Sequence, residues 1–540
     1  MQRCPDVTND KHVTLSENYA ASSETSYAES FSGTIVTPTG ESPGGVCFDD
    51  PSLTSFALPE IHEQLQIIND YFRHVYVHPG SAFLSEVSIT KRCLNGTISE
   101  VLLLAICALT ATVLRYPRYY PAQSTCWIQK AEDLLWAGVE SPTVPKTQAL
   151  LLAVLCRVET GNVKRGYMLL SLASQSASAL RLHYERLDLD HHSQEVRRRL
   201  TWSIMLIDTY FSEDFHGGGV AGLPPASLDG VSEGGLLQYY IRLTVIRRDV
   251  LRLTRNLHLQ VKETPQITGL VEVVEGMLKS LKISEPPAYS TQELQRYANS
   301  RWLVRYAAVQ LGWHQSHCDI YRLFLLGYKE AAPDAMIQAC EPDYVAQAVA
   351  LSISHARTVI NIIHDIHNLR VPLVSPPRDM CIGGYHSSRL LLYLSGSEPK
   401  RKDQEVTNEK AVSLARSTLA ILRPLFETSP VLGETIEALD QIITAHVSGV
   451  RVPPGDFANE DRGAGSRIRR PQYAMAIQRH TALGVHSALR QAQFHDDNED
   501  AGEDAGEIVT EASLHNNGPN IWSAQGWLQG FSPGSSHDCI

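Results

Sequence analysis

The stretch from Glu195 to Leu228 constrains the fold more than any other part of the chain. Its apolar residues recur at spacings of three and four, which places them on one face of a helix: Val196, Leu200, Ile204, Ile207 and Phe211. Trp202 lies off that face, as do two further apolar side chains beside it. A helix that is apolar on more than one side is covered by neighbouring helices. We therefore expect this helix inside a helical body, with Trp202 in the core.

Both ends of this helix carry sequence signals. Ser193 is a candidate N-cap, and Glu195 suits the positive end of the helix dipole. Three consecutive glycines and the Pro224–Pro225 pair end the helical pattern. Asp208 lies inside this buried helix, and a buried carboxylate needs a partner. Three consecutive arginines lie near the start of the same helix. We expect these side chains to pair within the fold, rather than with an acidic partner protein: Arg197, Arg198 and Arg199 with Asp188, Asp190 or Asp208.

The remaining body is also predicted to be helical. Apolar residues follow the helical period in twelve further segments, which are 61–75, 102–114, 124–136, 146–159, 167–182, 236–251, 266–282, 293–326, 344–366, 371–393, 406–426 and 431–447. Alternation of apolar and polar residues, the pattern of strands, is almost absent. Short connections imply antiparallel neighbours. The sequence therefore predicts an all-α, multi-helix body of antiparallel helices.

Composition divides the chain into four parts. We expect a disordered, acidic, Ser/Thr-rich linker at 1–55, the helical domain at 56–450, a linker with one candidate helix at 451–494, and a disordered acidic and aromatic tail at 495–540. The net charge of −12 is concentrated at the ends, since residues 1–60 carry two basic and nine acidic side chains and residues 491–540 carry nine acidic side chains only. Acidic ends repel phosphate, which argues against a nucleic-acid grip in either of them.

Cysteine usage and hydropathy predict the compartment. The ten cysteines form no Cys-x-x-Cys pair, a pattern typical of a reducing compartment. The chain does not begin with the apolar segment of a signal peptide. Its longest apolar run, 101–114, is shorter than the roughly 20 residues that span a bilayer. We expect a soluble intracellular protein with no membrane contact.

The acidic tail contains large apolar side chains that cannot build a core: Trp522, Trp527, Leu528 and Phe531. Charge keeps such side chains solvated until a partner groove accepts them, as in disordered activation segments. An ordinary disordered tail is the alternative reading.

Three patterns suggest chemistry but have simpler explanations. Residues 217–222 fit the dinucleotide fingerprint in letters only, because a helix precedes them where a strand is required. The acidic run 496–500 resembles a cyclase metal motif but has no helix to hold it. Histidines share helix faces at two places, but no third and fourth zinc ligands are evident, so packing is the favoured role: His314 and His317 with Cys318, and His364 with His367. We therefore expect no metal, no cofactor and no enzyme activity.

The central stretch resembles a known family. Arg197, Arg198 and Arg199 before Trp202, then Asp208 and Tyr210, then glycines and Pro224, resemble the regulatory domain of fungal-specific transcription factors, also called the middle homology region. Upstream segments match the same domain in order from Leu102 onwards. The likeness covers roughly residues 58–229 and continues more loosely to about 450.

The resemblance implies a fungal-type transcription regulator in the nucleus, or in nucleus and cytoplasm, that controls genes such as those of a metabolic or biosynthetic cluster. Its partners would be co-regulators, a small-molecule effector, and a second copy or a zinc-cluster factor in a dimer. The family's zinc binuclear cluster uses six cysteines to present a helix to DNA, but here only Cys4 and Cys47 precede the body. We expect weak or indirect DNA contact, and zinc only if a cysteine cluster lies upstream. The alternatives are an all-α, cyclase-like enzyme with an interior pocket and a helical scaffold.

Overall fold

A computed structural model of the chain describes residues 58–211, 227–228, 231–232, 235–259, 269–396 and 407–448. Within these ranges the only paired strands are β1 (Ser227–Leu228) and β2 (Val231–Ser232), which are antiparallel. The rest is helices and their connections, so the all-α prediction is confirmed. The predicted linkers and tails at 1–55 and 451–540 lie outside the described residues. No helix in the described part of the chain is long and apolar enough to cross a bilayer.

The first part of the body contains seven α-helices. They are α1 (Ile61–Asp70), α2 (Glu86–Leu94), α3 (Glu100–Leu114), α4 (Ala122–Ala137), α5 (Val144–Glu159), α6 (Val163–Ala179) and α7 (His191–Asp208). A π-helical turn, Tyr71–Val75, extends α1, and a short 3-10 turn, Pro79–Ser81, follows it. The sequence pattern did not predict α2. Its Ser85 cap accepts a hydrogen bond from the Ser88 N–H.

The centre of this part is α3, in which every residue from Val101 to Thr112 is buried. Ser99 is at its N-cap position, as predicted, and Arg115 closes it in the left-handed conformation with φ 49°. α3 packs against α4 and α5, and α5 packs against α6. The connection between α5 and α6 is so short that the chain reverses direction there, as the pattern predicts.

A buried ion cluster fastens three of these helices. The Glu132 side chain of α4 is fully buried and accepts from Arg157 Nε of α5 at 2.6 Å and from Arg165 of α6 at 2.7 Å. A buried carboxylate is tolerated where its oxygens are paired and hydrogen-bonded. This cluster ties α4, α5 and α6 together.

Helix α7 begins two residues before the predicted cap. Asp190 is the N-cap, and its carboxylate accepts a hydrogen bond from the Ser193 N–H at 2.9 Å. The prediction of Ser193 as the cap was wrong because Asp190 begins the helix three residues earlier, which leaves Ser193 in the first turn as the donor to that cap. Glu195 therefore lies inside the helix and is buried, and Trp202 is in the core as predicted, with 6% of its surface exposed.

The second part contains nine α-helices within the described ranges. They are α8 (Leu236–Leu259), α9 (Leu270–Ile283), α10 (Thr291–Tyr297), α11 (Leu303–Tyr321), α12 (Asp334–Gln338), α13 (Pro342–Asn368), α14 (Arg378–Gly396), α15 (Asn408–Phe426) and α16 (Gly433–Val447). The single helix predicted at 293–326 was wrong, since the chain forms α10, α11 and a 3-10 turn, Arg322–Phe324. Ser300 breaks the pattern by accepting a hydrogen bond from the Trp302 N–H in the connection.

Helices α11 and α14 organise this second part. α11 packs against α8, α13 and α14, and α14 also packs against α15 and α16. Gly384 permits the close approach, because a Cβ there would lie 2.6 Å from a methyl group of Leu422. The two parts meet where α7 and the 3-10 turn at Pro79–Ser81 contact α8.

Candidate functional site

The arginine cluster on α7 has structural partners. The guanidinium of Arg198 donates to both carboxylate oxygens of Glu185, at 2.7 and 2.8 Å. The buried Arg199 donates to Glu195 one turn earlier, at 2.8 Å, and to the Tyr76 hydroxyl at 3.2 Å. Desolvation raises the pKa of Glu195, and its arginine partners oppose that shift. Arg198 and Arg199 therefore pair with glutamates inside the fold.

Arg197 binds backbone instead. Its Nη2 donates to the carbonyl oxygens of Leu180 and Arg181, at 3.1 and 2.8 Å, where α6 ends. Burial lowers the pKa of Arg197, and the charge of Asp188 acts in the opposite direction. The Asp188 carboxylate itself hydrogen-bonds to Arg186. The three arginines contact groups within the fold, but the predicted partners Asp188 and Asp190 were wrong, because these carboxylates bind Arg186 and Ser193 instead. The sequence pattern missed Glu185, Glu195 and the two carbonyl acceptors.

The remaining residues of the family-like motif separate in space. Trp202 packs in the core, whereas Asp208 and Tyr210 are half-buried at the end of α7. Pro224 lies outside the described residues, as do the tail residues Trp522, Trp527, Leu528 and Phe531. Tyr210 is the motif residue that lines a cavity, and this cavity is the candidate functional site.

The cavity lies between the two parts of the body and has a volume of about 260 Å³. The first part contributes Val75, His78, Pro79, Ser81, Leu109, Thr112, Val113, Arg115, Tyr120, Leu155, Glu159, Thr209 and Tyr210. The second part contributes Tyr240, Leu243, Thr244, Arg247, Arg248, Leu251, Gly312, Ser316, residues 374–379, Ile382, Leu425, Phe426, Thr428, Ser429 and Leu432. Apolar walls with a few converging polar groups are typical of small-molecule sites.

Arg378 and Tyr210 join the two parts at the cavity wall. The guanidinium carbon of Arg378, the first residue of α14, lies 4.0 Å from the centroid of the Tyr210 ring. This cation–π contact holds the arginine side chain against the end of α7. Desolvation raises the pKa of the Tyr210 hydroxyl, so it stays protonated near neutral pH. The ring of Tyr210 therefore supports Arg378 at the cavity wall while its hydroxyl group stays neutral.

A second polar contact bridges the same junction. His78 Nε2 and the Ser375 hydroxyl are 2.8 Å apart. Desolvation, assisted by the charge on Arg305, lowers the pKa of His78 to about 4, so its ring is neutral near pH 7. The bond links the 3-10 turn of the first part to the segment that leads into α14.

Two carboxyl groups line the cavity, in different environments. Asp379 accepts hydrogen bonds from the Tyr240 hydroxyl at 3.2 and 3.3 Å. Desolvation raises the pKa of Asp379, and the charge on Arg247 opposes the shift. Arg247 itself pairs with Asp319 at 2.9 Å. Asp379 is thus held in place by neighbouring groups of the second part.

Glu159, at the end of α5, is the other carboxyl group. Desolvation raises its pKa, and the charges of Arg378 and Arg115 act against that rise. Arg115 directs Nη2 to the Thr428 carbonyl oxygen at 2.8 Å. Within the described residues, neither Arg115 nor Arg378 lies within ion-pair distance of a carboxylate. The charges of Arg115 and Arg378 both act on Glu159, and the charge of Arg378 also acts on Asp379.

The histidines that suggested a metal site pack against each other. His314 and His355 place their Nδ1 atoms 2.9 Å apart, and the His317 ring stacks on His355 with centroids 4.1 Å apart. His364 lies near the Ser417 hydroxyl, at 3.3 Å. In the ranges that the structure describes, no group of three His, Cys, Asp or Glu side chains is arranged to hold a metal ion.

Taken together, the fold and the cavity define an all-α domain with a mainly apolar cavity at the junction of two helical parts. Residues 68–216 match the fungal specific transcription factor domain. The matched segment begins in the last turn of α1, continues past the end of α7 and includes His78, Glu159 and Tyr210, so this part of the chain is similar to that domain.

Three curated proteins are similar to part of this chain. Over 174 residues the chain is 28% identical to the Zn(2)-C6 fungal-type transcription factor FTF1c of Fusarium oxysporum f. sp. lycopersici, covering 29% of this chain and 18% of that protein. It is 26% identical to FTF1a and to FTF2 of the same organism over the same length, covering 29% of this chain and 16% of each relative. The chain thus spans less than a fifth of the length of the relatives it matches.

Proposed function

We propose that this chain regulates transcription, with the helical body as the part that senses an effector or binds a partner protein. The observation that carries the proposal is the family match over residues 68–216. In support, Tyr210 of the matched segment lines a cavity whose other wall belongs to the helices that follow. A ligand at that junction contacts both parts, and a ligand that prefers one arrangement of the two shifts their equilibrium.

We propose that the acidic tail is the activation segment that binds a co-regulator. Trp522, Trp527, Leu528 and Phe531 would enter the groove of a co-regulator while the surrounding carboxylates keep the free tail solvated. The protein would act in the nucleus, in a homodimer or with a zinc-cluster factor. It would contact DNA weakly or through that partner, because only Cys4 and Cys47 precede the helical body. Zinc would be required only if a cysteine cluster lies upstream.

A reporter assay tests the regulatory role. The full chain is fused to a foreign DNA-binding domain in yeast, and expression of a reporter gene is measured. We expect the fusion to change expression, and alanine at Trp522, Trp527 and Phe531 to remove most of an activating effect. Alanine at Ser513, Ser523 and Ser532 is the matched control in the same tail. A fusion that neither raises nor lowers expression of the reporter gene contradicts the proposal.

The second candidate is an all-α enzyme, and one feature favours it. Glu159 and Asp379 line the cavity, and desolvation raises the pKa of both, which is a common property of acid–base groups. The two candidates differ in what happens to the ligand. The purified chain is incubated with a fungal metabolite extract, and the extract is followed by mass spectrometry. A regulator returns its ligand unchanged, whereas time-dependent loss of one compound that Glu159→Gln abolishes would establish an enzyme.

A further inference from the structure

We propose that the cavity binds a small organic anion, whose carboxylate or phosphate group contacts Arg378 at the first turn of α14 while its apolar body lies against the leucine-rich wall. This inference deepens the proposed function, because it names the chemical class of the effector. The proposal is nevertheless a statement about binding and can be tested without any transcription assay.

Charge is the first argument. Arg115 and Arg378 line the cavity, and among the described residues neither is paired with a carboxylate at ion-pair distance. Glu159 is the one carboxyl group whose charge acts on both. Two guanidinium groups and one carboxyl group leave one net positive charge on this wall even when Glu159 is ionised. The wall formed by these three residues is therefore net positive and favours an anion.

Hydrogen-bonding capacity is the second argument. The Nε atom of Arg378 is buried and has no hydrogen-bond acceptor within the part of the chain that the structure describes. A buried donor without an acceptor is unfavourable, and an anionic oxygen satisfies it with a charge-assisted bond. The cation–π contact with Tyr210 fixes the position of this guanidinium group, so little side-chain entropy is lost on binding.

The helix that begins at Arg378 strengthens the same preference. α14 is 19 residues long, and residues 374–379, which include its first two residues, line the cavity. The N-terminus of a helix carries a partial positive charge and N–H groups without intrahelical acceptors. Pro376 and Pro377 immediately precede the helix and hold the approach to it rigid. Arg378 and the helix terminus therefore present positive charge at one end of the cavity.

The remaining wall determines the body of the ligand. Leu109 and Leu155 from the first part face the same space as Leu243, Leu425 and Leu432 from the second. A volume of about 260 Å³ lies just below the usual range for ligand pockets, so the ligand is small. A compact apolar group with one acidic terminus fits this division of the wall into a charged end and an apolar end.

Four probes that share a phenyl ring test the charge preference, and three of them also share the same carbon chain. They are 3-phenylpropionate, phenyl phosphate, the neutral 3-phenylpropanamide and the cationic 3-phenylpropylamine. Binding to the purified full chain is measured by thermal denaturation and by isothermal titration calorimetry. We expect 3-phenylpropionate or phenyl phosphate to raise the melting temperature, and the amide and the amine to bind at least about tenfold more weakly. The two anions distinguish a carboxylate effector from a phosphate effector.

Variants locate the anion. Arg378→Gln is expected to weaken anion binding about ten- to a hundredfold, as for loss of a charge-assisted hydrogen bond, and Arg378→Lys to restore part of it. Arg296→Gln is the matched control, because Arg296 lies on the surface with a side-chain exposure of 72% and outside the cavity lining. A measurement on the wild-type chain avoids any folding defect: the anion should protect Arg378 from phenylglyoxal, read by peptide mass spectrometry.

The outcomes separate this inference from the proposed function. Equal binding of the anions and the amide, no binding of either anion, or unchanged phenylglyoxal labelling of Arg378 overturns the anion site. Anion binding that depends on Arg378, together with a silent reporter fusion, leaves the anion site intact and rejects the regulatory role. A responsive reporter without anion binding does the reverse.

Discussion

Replacement of Trp202 by alanine tests whether α7 is a core element. Trp202 is 6% exposed, on a helix that contacts α5, α6, α8 and the 3-10 turn at Pro79–Ser81. A buried tryptophan removes about 150–250 Å² from water, which at about 25 cal/mol per Å² corresponds to roughly 4–6 kcal/mol. Partial collapse of the surroundings lowers the expected loss to about 3–5 kcal/mol. That loss is a large fraction of a typical unfolding free energy of about 5–15 kcal/mol.

The assay compares this variant with a second tryptophan deletion. Trp136, near the end of α4, is 45% exposed, so Trp136→Ala should cost no more than about half as much. Urea unfolding of both variants is followed by far-UV circular dichroism, with the slope against urea checked for constancy. The reasoning fails if Trp202→Ala shifts the midpoint no more than Trp136→Ala does.

Two further predictions concern charge inside the body. Glu132→Gln should destabilise the fold by about 3–5 kcal/mol, because its two arginine partners would be left without the carboxylate. Glu293→Gln breaks a surface pair and should cost less than about 1 kcal/mol. Equal urea midpoints for the two variants would contradict this prediction. Desolvation lowers the pKa of His314 to about 4 and of His355 to about 3, so the folded state resists protonation. Stability should be complete above the unfolded pKa of about 6.5 and fall between there and about pH 3, by at most about 1.4 kcal/mol per pH unit for each histidine. Replacing both with glutamine should flatten the melting temperature against pH across that interval, and His62→Gln on the surface should not.

Helical periodicity predicts the body well because burial imposes the period. In α7 the apolar residues recur at spacings of three and four and lie on the buried side, whereas α3 is buried on every side and shows an unbroken apolar run. Ends are set by single hydrogen bonds instead. Asp190 rather than Ser193 caps α7, and Ser300 interrupts the segment that becomes α10 and α11. Such competition between neighbouring polar side chains leaves no periodic trace in the sequence.

The cavity could not be predicted from the sequence, for a topological reason. His78, Glu159, Tyr210, Tyr240 and Arg378 come from five separate segments, and no spacing within any one segment marks them as a group. Tyr210 was singled out only through resemblance to a family. The Pro376–Pro377 pair before Arg378 is the one local signal, since it fixes where α14 begins and so where its positive end lies. The predicted helix at 371–393 ran through that pair and was wrong on this point, because proline cannot continue a helix from within.

The contacts around Arg378 give the cavity a mechanical role that a surface groove would lack. His78 and Tyr210 belong to the family-matched segment, whereas Ser375 precedes α14 and Arg378 begins it, so both bridges cross the same junction. An anion bound to Arg378 contacts a side chain that already packs on Tyr210. It therefore favours the arrangement in which Arg378 contacts both the anion and Tyr210. At a concentration about one hundred times its dissociation constant, such a ligand stabilises that arrangement by about 2.7 kcal/mol. By reciprocity, a partner that binds the same arrangement raises the affinity for the anion by the factor by which the anion raises the affinity for the partner. Effector binding and partner binding in this domain are therefore expected to be coupled through Arg378 rather than through the arginine cluster on α7, whose side chains are engaged within the first part.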